Sequence, residues 1–112
     1  MKLSVTERII LPELLPNQGS MVTMLLAKHI REKIEFTSSE IGDFNLRGEE
    51  KEDGSYRFKW NPEKEIDVEF HFEKSEIDFL KAQIDRLDKE GNITSNNIDL
   101  CLKIKEFDSD AI

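Results

Sequence analysis

The sequence predicts a single α+β domain over residues 1–112, with helices packed on a small antiparallel β-hairpin or three-stranded sheet. Three observations carry this. Helical hydrophobic spacing runs through residues 1–45, the period falls to two between 46 and 73, and helical spacing returns over 74–107. A chain of 112 residues is the size of one domain and can bury a modest core. Charged residues make up 36% of the chain, a level at which disorder must be considered, but seven Phe, one Trp and one Tyr supply the apolar bulk of a folded protein.

In the first region, Ser4-Val5-Thr6-Glu7 has capping-box spacing ahead of Ile9, Ile10, Leu14 and Leu15, which predicts a helix over 5–15. Pro12 predicts a kink or a split in that helix, because it removes a hydrogen bond and crowds the preceding turn. Pro16 to Gly19 breaks the chain and Ser20 caps a helix over 21–34, whose predicted inner stripe is Val22, Leu26 and Ile30 with Leu25 beside it. His29 falls near the middle of that stripe and reads as a core or boundary histidine. Thr37-Ser38-Ser39-Glu40 is a second capping box, opening a short helix through Phe44.

The middle region alternates. Tyr56, Phe58 and Trp60 are interleaved with Arg57 and Lys59, and Ile66, Val68, Phe70 and Phe72 with Asp67, Glu69 and His71. Paired through 61–65, these runs set Arg57 and Lys59 against Asp67 and Glu69. Asp53-Gly54 is a tight-turn signal, so residues 46–51 are expected to add a weaker edge strand. Ser75 is the predicted cap of a helix to about Glu90, with Ile77, Leu80, Ile84 and Leu87 inward and Gly91 ending it. Residues 98–106 fit both periods; the helix is preferred, with apolar groups on two sides.

Charge is unevenly spread. Residues 1–39 carry a net +1, residues 40–90 a net −7, and the whole chain −8. That balance disfavours non-specific nucleic-acid binding, which draws on Lys and Arg, and it disfavours anionic membranes. Charge interrupts the N-terminal apolar run at Glu7 and Arg8, so no signal peptide is predicted, and no run reaches membrane-spanning length. A cytoplasmic protein is the expectation.

No pattern of catalytic or metal-ligating residues stands out. Two His and one Cys, Cys101, offer none of the usual zinc spacings, and the five glycines form no phosphate-binding loop. His71 lies beside Glu69 and Glu73 on a polar strand face and reads as a surface residue. The stretch from Asp88 begins like a calcium loop but places Ile93 where glycine is needed and Asp99 where a bidentate Glu belongs. No enzyme activity, cofactor or metal is expected. Three helices followed by a hairpin resemble a winged helix, yet the helix at 38–44 would bring Glu40 and Asp43 to the major groove with no Lys or Arg.

Thr6-Glu7-Arg8, Leu14-Leu15-Pro16, Gly19-Ser20, Phe36-Thr37 with Glu40-Ile41, Trp60-Asn61 and the Leu87-Asp88-Lys89 to Ile93-Thr94 junction together form a pattern. It resembles that of small uncharacterised proteins encoded by bacteriophages and prophages. The resemblance implies an accessory role in a bacterial or infected bacterial cytoplasm, and it carries no functional residues. The expected function is non-enzymatic docking on another, basic protein. Glu49, Glu50, Glu52 and Asp53 are the candidate contacts, with Trp60 and aromatics near it as apolar anchors. A nucleic-acid-associated regulator with a winged-helix-like fold is the alternative, to be favoured by a basic cluster on the folded surface.

Overall fold

Residues 1–107 are described in a computed structural model, Tyr56 by its backbone alone. Four helices and Leu3 of the first strand build the main core, and of two small antiparallel sheets the second lies outside it, an α+β arrangement.

After strand β1 (Lys2–Leu3), helix α1 spans Val5–Leu14. Its capping box is complete: Ser4 Oγ accepts from Glu7 N at 3.1 Å and Ser4 N donates to Glu7 Oε1 at 2.9 Å. Pro12 neither splits nor ends the helix. Lying two residues from the C-terminus, it leaves only the Arg8 carbonyl without its usual donor, and Leu15 N closes on Pro12 O at 3.2 Å.

Helix α2 (Met21–Ile34) has the predicted bounds but a different inner face. Ala27, Ile30 and Ile34 are buried, while Val22 is 68% and Leu25 46% exposed. His29 is likewise exposed, not central in an apolar stripe. The cause is position. Helix α2 packs against the later helix α4 (Lys74–Lys89), and its buried residues all lie from Ala27 onward. Periodicity marks an apolar face without saying how far along a helix the core extends.

Helix α3 (Ser38–Phe44) follows its Thr37–Glu40 capping box and buries Phe44 outside the main core. Asn45 then adopts φ +54, and the Leu46 N–H returns to Ile41 O at 2.9 Å. Strand β2 (Arg47–Glu50) leads into strand β3 (Tyr56–Lys59). These two pair antiparallel, Glu49 opposite Arg57 and Gly48 opposite Phe58. Lys51 N bonds to Ser55 O, Gly54 N to Lys51 O, and Gly54 takes φ +85, which glycine adopts without strain.

The predicted pairing of 56–60 with 66–72 therefore does not form. Asn61 caps a single 3-10 turn at Pro62–Lys64, and the chain leaves the hairpin there. Strand β4 (Val68–Glu69) instead pairs antiparallel with β1, Leu3 opposite Val68. Phe70 N bonds to Met1 O at 2.9 Å, and the Met1 nitrogen donates to Phe70 O at 2.8 Å. Ile66 is 64% exposed, so the alternation in 66–72 does not describe one buried face.

Glu73, not Ser75, caps α4, with Glu73 N donating to Glu76 Oε1 at 2.8 Å. The predicted Ile77, Leu80 and Ile84 are buried, and Gly91 follows the helix at φ +71. Residues Ile98–Glu106 form helix α5, which buries Leu100, Cys101 and Ile104 and leaves Ile98 and Leu102 exposed. Three helices do precede a hairpin, but the main core is built by α1, α2, α4 and α5.

Candidate protein-docking site

The candidate acids all lie on the β2–β3 hairpin, in unequal surroundings. Cross-strand pairing brings Lys59 Nζ within 2.7 Å of Glu49 Oε2, with Arg47 at 3.9 Å and Arg57 at 4.0 Å. The Lys59 hydrogen bond, aided by the charges of all three bases, holds the Glu49 carboxyl below the usual carboxylate range. Glu49 is thus the partner that Arg57 and Lys59 find in place of Asp67 and Glu69. Around it this face of the hairpin has three cations to one carboxylate.

At the tip, Asp53 Oδ1 accepts from Ser55 N at 3.0 Å and Ser55 Oγ at 2.6 Å, and these bonds lower its pKa. That is an Asx-type turn, the local chemistry expected of Asp before Gly. Glu50 and Glu52 are exposed and form no ion pair among the described residues. The hairpin therefore has a basic strand face and an acidic tip.

Trp60 is half-buried. Its Nε1 donates to Glu65 Oε2 at 3.1 Å, while Glu65 Oε1 accepts from Val5 N at 2.8 Å. Trp60 thus ties the end of the hairpin to the start of α1. The exposed aromatic is its neighbour Phe58, 56% exposed. One side of Phe58 borders a groove of about 410 Å³ lined by Ile9, Pro12, Ile34 and Phe36 together with Arg8, Arg31 and Glu35. The other borders a cleft of about 370 Å³ with Ile9, Ile10, Glu13 and Trp60. Alternation placed Phe58 on a buried aromatic face. In the observed register Gly48 stands opposite it and offers no side chain to cover it, a relationship that exists only once β2 and β3 are paired.

The buried charges belong to the frame. Arg8, 3% exposed, donates Nε to Ile34 O at 3.1 Å, one terminal nitrogen to Glu35 O at 2.8 Å, and both terminal nitrogens to Glu40. Its guanidinium lies 4.0 Å from the Phe36 ring centre and 4.9 Å from that of Phe70. The Arg8 hydrogen bonds hold the Glu40 carboxyl below its ordinary range. Glu76 accepts similarly from Lys33, and Glu7 from Lys103 at 2.8 Å. Each of these three glutamates sits at the third position of its helix and also accepts from the N-cap N–H, so each carboxylate joins a helix start to a cation from another helix.

His71 is exposed with Nε2 3.3 Å from Glu73 Oε1. Cys101 is buried, which raises its thiol pKa. Among the described residues no group of three or more His, Cys, Asp or Glu is placed to hold a metal ion, and no helix is long and apolar enough to cross a membrane. No family model, curated protein or solved structure matches the chain.

Proposed function

We propose that this is a non-enzymatic accessory protein that docks on another protein through the β2–β3 hairpin and the groove beside it. The observation that carries the reading is Phe58, more than half exposed at the edge of an apolar groove and flanked by charged groups. Burying such a ring in a partner contributes roughly 1.5–3 kcal/mol, and a rim of charges sets orientation and encounter rate. Glu50, Glu52 and Asp53 at the tip would meet a basic element of the partner, with Phe58 rather than Trp60 as the anchor. The resemblance to phage- and prophage-encoded proteins fits an accessory role in a bacterial cytoplasm.

A second reading, a nucleic-acid-associated regulator, draws on the Arg47, Arg57 and Lys59 cluster, which lies on the hairpin that would be the wing of a winged helix. One experiment separates the two. Immobilised wild-type protein and the Phe58→Asp variant are exposed to bacterial extract with and without nuclease treatment. Docking predicts one protein retained from both extracts by the wild type and lost by the variant. Retention only before nuclease treatment overturns it in favour of nucleic acid, and retention unaffected by the substitution removes the groove from the reading.

A further inference from the structure

The β2–β3 ribbon has two strands, and no third strand among the described residues covers the outer edge of either. Its free hydrogen-bonding groups can be placed. The Lys51 N to Ser55 O bond makes residues 51 and 55 a bonded pair, and bonded and non-bonded pairs alternate along an antiparallel ladder. In the observed register Arg47 and Glu49 therefore bond inward to β3. Gly48 and Glu50 turn their N–H and C=O groups to the open edge.

The two open edges differ in what a second copy would meet. Laid antiparallel about Phe58, two copies of β3 oppose Arg57 with Lys59, twice. Laid about Arg57, they oppose Arg57 with itself. Like charges directly opposite are destabilising, and an edge so guarded resists self-pairing. Strand β2 behaves otherwise. Two copies laid antiparallel about Gly48 set Arg47 of each against Glu49 of the other, and Gly48 against Gly48.

We infer that the β2 edge is an interface for a second copy of this chain, joining two hairpins about Gly48 into a four-stranded antiparallel sheet. Gly48 of each copy exchanges N–H and C=O bonds with Gly48 of the other, and each Glu50 N–H reaches the Leu46 carbonyl across the interface. The symmetry is consistent: a two-fold axis through a sheet pairs residues on the same face, which this register satisfies. Centring on Glu49 instead would oppose two carboxylates. Gly48 carries no side chain to obstruct the close approach of the two copies. Two-stranded ribbons are marginal alone, and pairing gives this one four strands. The interface is short, so association depends on concentration. This inference goes beyond the docking reading, because the edge it uses is not the groove.

The test is sedimentation equilibrium at an ionic strength that screens the net charge of −8 on each copy. The wild type is expected to show a monomer–dimer equilibrium. Arg47→Glu sets a second carboxylate against Glu49 of the other copy and is expected to weaken the dimer on the order of tenfold. Gly48→Pro removes the outward N–H at a position that makes no inward bond, and is expected to abolish the dimer with the helical circular dichroism unchanged. Arg57→Gln, on the other strand, is expected to leave it. Gly48 and Glu50 amides should gain hydrogen-exchange protection as concentration rises. A monomer at every concentration up to millimolar overturns the inference. So does a dimer indifferent to Arg47→Glu, or open-ended assembly from β2 pairing with β3 of another copy.

Discussion

Arg8 and Glu40 lie 32 residues apart and form two hydrogen bonds, at 2.5 and 3.0 Å, that bind α1 to the start of α3. The same guanidinium satisfies the carbonyls of Ile34 and Glu35 at the end of α2, so one side chain holds the termini of two helices. Burial makes this contact consequential. A paired, fully bonded charge is tolerated in the interior, whereas a broken pair leaves a desolvated charge behind.

Arg8→Ala is expected to destabilise the fold by about 3–5 kcal/mol, because Glu40 and both carbonyls lose their donor together. Urea unfolding measures it. A loss below about 1 kcal/mol would show that water replaces the guanidinium without penalty.

Stability should fall in acid through Glu40. Its folded pKa lies below the ordinary value of 4.5, so the unfolded chain binds the proton more readily. The contribution is complete above the unfolded pKa and is lost as pH falls through the lower, folded one. Urea midpoints measured downward from pH 6 should decline less steeply in Glu40→Gln than in the wild type. Equal slopes would assign the acid limb to other carboxylates.

Substitutions along α2 should divide by position rather than by residue type. Ile30→Ala, at a fully buried site, is expected to cost about 2–5 kcal/mol. Val22→Ala, at a 68% exposed site, should fall within about 0.5 kcal/mol of the wild type. Equal costs in thermal unfolding would return Val22 to the core.

Gly54→Ala, at φ +85, should weaken the hairpin by about 1 kcal/mol. The hairpin lies outside the main core, so the loss is expected in amide exchange at Arg57 and Lys59, which face β2, with little change at Ile30 or Ile84. A uniform loss across all four would make the hairpin part of one cooperative unit.

Most signals that act within a few residues were legible, the Glu73–Glu76 cap of α4 being the exception. Ser4 with Glu7 and Thr37 with Glu40 announced helices at α1 and α3, Ser20 marked α2, and Asp53-Gly54 marked the hairpin turn. The α4 stripe of Ile77, Leu80 and Ile84 was readable because that helix packs along most of its length. The candidate site was legible only in outline. The strand at 46–51 and the turn after it were readable, but Glu49 as a partner for the hairpin bases and Phe58 as the exposed ring depend on which strands pair.

Sequence alone thus determined the starts of α1, α2 and α3, the turn at Gly54, the α+β composition and the acidic balance, because capping, turn chemistry and composition are local or additive. Tertiary structure alone decided that β3 pairs with β2 and β4 with β1, that Val22 faces solvent, and that Arg8, Lys33 and Lys103 meet Glu40, Glu76 and Glu7. Those pairings join residues from 6 to 96 positions apart, where several pairings satisfy the same alternation and only the packing of the whole chain selects among them.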